Sequence, residues 1–283
     1  MVIGSKIAGI QEIAEEAGRL ILDIYNKQSF SVELKSDLTP LTEADKVSSE
    51  YVVSALQKLF PGIPVVSEEL PLPDYKIRSG WRELWIVDPL DGTKEFIYRN
   101  GRFCVNIALV ENGVPVFGMI NNVNDGELVW GGVDVECGIK DGEGGGKLKT
   151  SVAGGNKLKV AVSRFNMTEN EFQYIDYLKG LGYEVELFPF GASLKQVMIA
   201  KGEMDICPKF GKCSEWDTAA GHAIVEASGG MVLNLETGRN LVYNKENMLS
   251  PPFIMFSKRI HDLIMAGDTR FYDFQLGEKS GNK

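Results

Sequence analysis

The residues of this chain that could do chemistry gather where apolar runs end. In Trp85-Ile86-Val87-Asp88-Pro89-Leu90-Asp91-Gly92-Thr93-Lys94-Glu95-Phe96, a strand-like run ends in Asp88 and Asp91, with Pro89 between them and Gly92-Thr93 behind. Two carboxylates and a free backbone carbonyl at one sheet edge are the oxygen donors that hard divalent cations prefer. Pro89 fixes φ and removes an N–H, which helps turn the Leu90 carbonyl to the same side. Gly92 permits close approach of a ligand, the amides of Gly92 to Lys94 can open a helix and receive phosphate oxygens, and Thr93 adds a hydroxyl. More acid stands at similar positions: Glu68-Glu69 follows Val65-Val66-Ser67, and Trp216-Asp217 precedes a helix that ends at Gly229-Gly230. Each segment alone also has a plainer reading. Asp88 and Asp91 can make Asx hydrogen bonds in a strand-ending turn, Asp217 can close a Ser214-x-x-Asp217 cap, and Glu68 or Glu69 can be a solvated loop acid. Three element ends bearing carboxylates can equally converge on one cluster.

The composition narrows the class. The 283 residues carry 30 basic and 39 acidic side chains, a net charge of −9, and 44% are hydrophobic. Such a chain supports a substantial core, and its acidity counts against binding a nucleic-acid polymer, which needs a basic surface. No apolar run approaches the roughly 20 residues that span a bilayer. Glu12, Glu15 and Glu16 interrupt the N-terminal segment where a secretory signal would be apolar, so a cytoplasmic protein is expected. Cys104, Cys137, Cys207 and Cys213 are too few and too irregular for a disulfide framework, and with only His222 and His261 there is little material for a zinc site. His222, inside the helix after Asp217, reads as a packing residue. The glycine-rich stretch 142–146 lacks the spacing of a dinucleotide or P-loop fingerprint. A small-molecule enzyme working through carboxylates or hydroxyls remains.

The elements that must position these groups show in the apolar spacing. Ile7, Ile10, Ala14, Ala17, Ile21 and Ile24 predict a helix over about 5–27, and Val47, Val52, Val53, Leu56 and Leu59 a second one ending at Pro61-Gly62. Strands are expected at 65–66, 84–87, 104–110 and 114–120, the last two joined through Glu111-Asn112-Gly113. Seven of the nineteen residues from Gly138 to Asn156 are glycine, and a boundary is expected there. Beyond it, strands at 159–163, 184–188 and 204–207 alternate with helices at 169–181, capped by Thr168-x-x-Glu171, 194–201 and 217–228.

Taken together, these segments resemble the lithium-sensitive, magnesium-dependent sugar and nucleotide phosphatase superfamily that includes inositol monophosphatase. Its two-part signature, DP[IL]DG[ST] and far downstream WD, eleven residues and GG, is matched by Asp88 to Thr93, Trp216-Asp217 and Gly229-Gly230. Asp88-Pro-Leu-Asp-Gly-Thr-Lys-Glu-Phe96, Asn100-Gly101, Val105-Asn-Ile-Ala-Leu109, Ser193-Leu-Lys195 and Trp216-Asp-Thr-Ala-Ala-Gly-His222 are similar to one branch, the bacterial 3'(2'),5'-bisphosphate nucleotidases of the CysQ type. Inositol monophosphatases usually carry Asn-Phe where this chain has Lys94-Glu95-Phe96.

The resemblance implies an α+β fold, a layered α/β/α/β/α sandwich, with an N-terminal domain (1–150) supplying most metal ligands and a C-terminal domain (151–283) supplying Asp217 and the substrate pocket. It implies two or three Mg2+ ions, the first on Glu68, Asp88 and the Leu90 carbonyl, the second on Asp88, Asp91 and Asp217, with Glu69 in an extra shell. Asp45 and Thr93 would orient or deprotonate the attacking water, with Glu68 beside them. Asp91, Gly92, Thr93, Ser193, Lys195, Lys209 and Asp217 would contact a small phosphate ester, adenosine 3',5'-bisphosphate above all. Ser193 also makes an ordinary helix N-cap and Lys195 an ordinary solvated lysine. Lys209 stands where related sequences typically have Arg, and Glu215 would repel a phosphate if it faced the pocket. An inositol or other sugar monophosphatase, and a non-catalytic phosphonucleotide-binding regulator, are the alternatives. The resemblance leaves a homodimer and peripheral association with the inner membrane open.

Overall fold

In the computed structural model, residues 3–35, 39–148, 150 and 154–276 are described, and the charged tail 277–283 lies outside them. Helix α1 (Ile7–Tyr25) follows a single 3-10 turn and buries Ile10, Ala14, Ala17, Ile21 and Ile24 along one face, as the three- and four-residue spacing dictates. A two-stranded ribbon, β1 (Val32–Leu34) and β2 (Pro40–Thr42), leads into α2 (Glu43–Leu59). That helix starts at a capping box: Asp45 accepts from the Thr42 amide while the Thr42 hydroxyl receives the Asp45 backbone.

A seven-stranded sheet follows, from β3 (Val65–Ser67), then past the single-turn α3 (Tyr75–Arg78), β4 (Glu83–Asp91), the short α4 (Thr93–Ile97), β5 (Cys104–Glu111), β6 (Val114–Asn122), β7 (Glu127–Gly132), β8 (Val135–Asp141) and β9 (Gly144–Lys147). Only the β3–β4 pair is parallel. The glycine-rich stretch expected to be a boundary therefore contains the second half of β8 and all of β9. Glycines carry no side chain to show a period, yet at a sheet edge their backbones pair as well as any others, with Ile139 opposite Gly146 and Asp141 opposite Gly144.

The second sheet runs β11 (Glu184–Phe190), β10 (Lys157–Ser163), β12 (Ile206–Lys209), β14 (Phe253–Phe256), β13 (Met231–Asn234) in spatial order, with α5 (Glu169–Gly180), α6 (Leu194–Ala200) and α7 (Ala219–Ala227) between its strands in the chain and α8 (Lys258–Met265) after them. The alternating rhythm holds for β10 to β12, which pair in parallel, but β14 runs antiparallel to both β12 and β13, so the sheet is mixed.

Three apolar cores stack the layers. The first joins α1 and α2 to one face of the seven-stranded sheet through Ile10, Val52, Trp85 and Phe117. In the second, α6 and α7 lie between the sheets, where Val197 and Ile224 meet Ile86 and Ala108 on one side and Cys207 and Met255 on the other. The third covers the outer face of the five-stranded sheet with Tyr174 and Leu178 of α5 and Ile260 of α8. The order is α/β/α/β/α. No described helix is long and apolar enough to cross a membrane.

Candidate active site

Strand alternation would send Asp88 and Asp91, three residues apart, to opposite faces of β4. A bulge prevents this. Asp88 pairs with Asn106 but Asp91 pairs with Cys104, so one extra residue on β4 returns Asp91 to the side of Asp88. Gly92 then turns with φ +97°, and a β-carbon there would press on the Arg102 carbonyl at 3.1 Å and the Ala192 side chain at 3.2 Å. The turn delivers Thr93 to the start of α4, as the sequence suggests. Glu68 follows the end of β3, and Asp217 stands just ahead of α7.

These ends meet. Oxygens of Glu68, Asp88 and Asp217 lie within 4.8 Å of one another. A cavity of about 250 Å³ opens over them, lined also by Leu90, Asp91, Gly92, Thr93, Ser193, Lys195 and Lys209. The plainer readings of the acids are partly true as well. Leu90 N donates to Asp88 Oδ1 at 3.1 Å, an Asx contact, and Ser214 N donates to Asp217 Oδ2 at 2.8 Å, the cap contact. Each carboxylate has a second oxygen, so a turn bond and membership of the cluster are compatible.

Behind the cavity, Thr93 Oγ1 donates to Asp45 Oδ1 at 3.1 Å, while Asp45 Oδ2 takes the Thr42 amide at 2.7 Å and hydroxyl at 2.5 Å. The capping acid of α2 is thus also the partner of Thr93. Ser48 Oγ of the same helix donates to the Pro89 carbonyl at 2.7 Å, which ties α2 to the bulge.

Burial and like charge dominate the electrostatics. Burial pushes Asp88 well above the carboxylate range, and Glu68, Asp91 and Asp217 push it further. Asp217 is raised to about 7 by burial and then by Asp91 and Glu68, and Glu69 to about 7, mainly by burial. Glu68 and Asp45 are raised, again chiefly by burial. Dense, buried, mutually repelling oxygens whose pKa values stay raised even with Lys35 beside Glu68 fit a hard divalent cation, which supplies further positive charge. In the cation-free chain the folded state therefore holds more protons than the unfolded one between about pH 4 and pH 7, and stability falls as pH rises through that window. Thermal melts in chelator should give a higher Tm at about pH 5.5 than at about pH 8, with added divalent cation raising Tm most at the alkaline end. A Tm that climbs with pH in chelator would contradict this electrostatic picture.

Several residues play parts the sequence did not assign. Lys35, beside the ribbon, bridges Glu68 at 2.7 Å and Glu69 at 2.6 Å. Glu69 meets Lys35 and is not among the cavity residues. Asn106 Nδ2 donates to Asp91 Oδ2 at 3.1 Å and Ser193 Oγ at 3.0 Å from among the buried apolar residues Val105 and Ile107 to Val110 of its strand. An amide in such a strand was the available signal.

Ser193 does not cap α6 with its side chain; its amide donates to Asp91 Oδ2 at 2.6 Å, its hydroxyl donates to the same oxygen, and it also meets the Asp217 carbonyl at 2.8 Å. Lys195 is not a solvated lysine: Nζ donates to the Ala192 carbonyl at 2.6 Å beside the cavity. Burial pulls its pKa down, but Cys207, Asp91, Cys213 and Asp217 together leave it raised. Lys209 is buried at the end of β12 with the cavity beside it. Glu215 faces away from the cavity and anchors the chain at Asn244 N (2.6 Å) and Lys245 N (3.1 Å). His222 Nδ1 meets the Tyr243 hydroxyl at 2.9 Å, a buried packing role.

A layered sandwich with this acidic cleft defines the class, and sequence relatives agree with it. A model of the inositol monophosphatase family matches residues 5–267. The chain belongs to that family, whose enzymes are typically metal-dependent. It is 36% identical over 248 residues to the 3'(2'),5'-bisphosphate nucleotidase CysQ of Escherichia coli K12, covering 86% of this chain and 96% of that protein. It is 38% identical over 242 residues to the CysQ of Buchnera aphidicola, covering 85% and 88%. Among solved structures, CysQ from Bacteroides thetaiotaomicron, a bacterial member of the inositol monophosphatase family, matches with a TM-score of 0.81 at 39% identity over 92% of this chain and 99% of that one. SuhB from Bartonella henselae shares the fold, with a TM-score of 0.75 at 23% identity over 96% and 100%.

Proposed function

We propose that the chain is a magnesium-dependent 3'(2'),5'-bisphosphate nucleotidase that converts adenosine 3',5'-bisphosphate and water to AMP and phosphate. The observation that carries this is one cavity lined both by a carboxylate cluster, Glu68, Asp88 and Asp217, and by lysines that include Lys195 and Lys209. Glu68, Asp88 and the Leu90 carbonyl would hold one Mg2+, Asp88, Asp91 and Asp217 a second, and Glu69, held by Lys35, would stand in an outer shell. Bound there, the cations neutralise phosphoryl oxygens and make a water more acidic.

The chain's own groups then supply positioning and proton transfer. Thr93, which lines the cavity, donates a hydrogen bond to Asp45, so its oxygen keeps lone pairs that can accept a proton from the attacking water as its own proton passes to Asp45. Asp45, raised by burial, is the sink for it. The new P–O bond forms as the bond to the 3'-oxygen breaks, and that oxygen leaves as a hydroxyl by taking a proton from solvent water, while Asp45 later returns the proton it received to solvent. The amides of Gly92 and Thr93 face the phosphoryl oxygens, and Ser193 fixes Asp91. Lys195 and Lys209 offer charge to the second, non-scissile phosphate; Lys209 does so as a point charge, without the fork of an arginine.

In this account residues 1–150 form the domain that carries most ligands, and 151–283 the one that brings Asp217 and the lysines. A cytoplasmic setting suits a nucleotide substrate.

Phosphate release from adenosine 3',5'-bisphosphate and from inositol 1-phosphate, measured side by side with magnesium, tests the assignment. A kcat/KM at least about tenfold higher for the nucleotide is expected, since a second phosphate adds a charged contact at the lysines. Preference for the inositol ester would overturn the substrate assignment and leave the metal site standing.

A further inference from the structure

Glu95 is the least explained charge in the cavity wall. It is 2% exposed and lines the cavity. Its Oε2 takes the Asn100 amide, while Oε1 is buried and has no hydrogen-bond partner among the described residues. Arg164 Nε forms an ion pair with Oε1 at 3.8 Å but lies outside hydrogen-bond reach, with its Nη2 donating to the Pro189 carbonyl at 3.3 Å. Gly191 makes room for this carboxylate: a β-carbon at that position would collide with Oε1. A buried acceptor left open in a pocket wall is costly unless something in the pocket satisfies it.

The chemistry of a carboxylate restricts what that can be. An ionised carboxylate only accepts hydrogen bonds, and phosphate oxygens are acceptors too, so Glu95 requires a donor and repels phosphate. A nucleoside bisphosphate offers donors only on its sugar and its base. Position decides between them. Glu95 follows Thr93 by two residues in the same helical turn, and its Oε1 lies against Gly191, two residues before Ser193, whose hydroxyl and amide hold Asp91. It therefore borders the site of the reacting phosphate, where the sugar must lie.

We propose that Glu95 is a specificity-determining residue whose Oε1 accepts a hydrogen bond from the sugar hydroxyl vicinal to the scissile phosphate, the ribose 2'-hydroxyl of a 3'-phosphorylated nucleotide. This rests on the nucleotidase reading. The contact selects ribonucleotides, because a deoxy substrate leaves Oε1 buried and unpaired.

The test compares adenosine 3',5'-bisphosphate with its 2'-deoxy counterpart on the full chain with magnesium. The unmodified chain is expected to favour the ribonucleotide by about 10- to 100-fold in kcat/KM, the range for a hydrogen bond to a charged group. In Glu95→Ala the two substrates should converge, chiefly through a loss on the ribonucleotide. Arg164→Ala should keep the preference. A structural role for Glu95 would instead lower both substrates together and leave their ratio intact. Equal turnover of both substrates by the unmodified chain overturns the inference without any variant having to fold, while the nucleotidase assignment stands. A preference that survives Glu95→Ala, or one that Arg164→Ala abolishes equally, also overturns it. Release from neither nucleotide overturns the nucleotidase assignment and this inference with it.

Discussion

Asp88→Asn is expected to lower kcat for phosphate release by about a thousandfold or more and, at the same time, to raise the Tm of the cation-free chain. The opposite signs follow from one cause. Asp88 is 2% exposed and is pushed well above the carboxylate range by burial and by Glu68, Asp91 and Asp217. The amide keeps an oxygen for the Leu90 N–H, so the turn survives while a repelled charge disappears. Relief of that repulsion contributes about 1–2 kcal/mol, which for a chain of this size is worth several degrees of Tm in chelator. In the proposed mechanism the same carboxylate would serve both cations, so its loss would weaken their hold. Melts in chelator and phosphate release with saturating magnesium check the two halves separately. Turnover within tenfold of the unmodified chain would remove Asp88 from the catalytic account; a lower Tm in chelator would show that its charge supports the fold.

Thr93→Ala and Asp45→Asn should each reduce kcat by about 10²- to 10⁴-fold with a much smaller change in KM, the range for a positioned acid–base group. Because the Thr93 hydroxyl donates directly to Asp45 Oδ1 at 3.1 Å, the two act as one unit. The double variant should therefore be no worse than the worse single one. Asp45 also closes the capping box with Thr42, so Asp45→Asn will carry a stability loss of about 1 kcal/mol that Thr93→Ala will not. Steady-state kinetics on all three variants decides the matter. Losses that multiply in the double variant, or that reside in KM, would separate Thr93 and Asp45 into independent roles.

Much of this arrangement is legible in the sequence because it depends on residue type and order. The long helical periods, the apolar strands ending in acid, and the Asp88 to Thr93 and Trp216-Asp217 segments mark the elements and the groups that the fold gathers around one cavity. What remains hidden depends on register and long-range partners. A three-residue separation gives no sign that a bulge will place Asp88 and Asp91 on one side of β4. Lys35 follows a ribbon strand of only three residues with every position exposed, too short to show a period, yet it spans Glu68 and Glu69. Ser193 and Lys195 carry the composition of a helix start, and only the approach of α6 to β4 and β5 turns Ser193 toward Asp91 and Asn106. Glu215, a concern for phosphate binding in sequence, is drawn away by the amides of Asn244 and Lys245, thirty residues along the chain and invisible to any local reading. β9 is glycine-rich and exposed, so nothing but its pairing with β8 identifies it.

In the proposed enzyme the acidic cluster works by holding divalent cations for hydrolysis of a nucleotide 3'-phosphate. Phosphate release from adenosine 3',5'-bisphosphate by the chelator-stripped chain, titrated with magnesium, tests it most directly. The expected result is release at background level in chelator, rising with magnesium to a plateau and falling again when lithium is added. Release that proceeds undiminished in chelator would contradict the account.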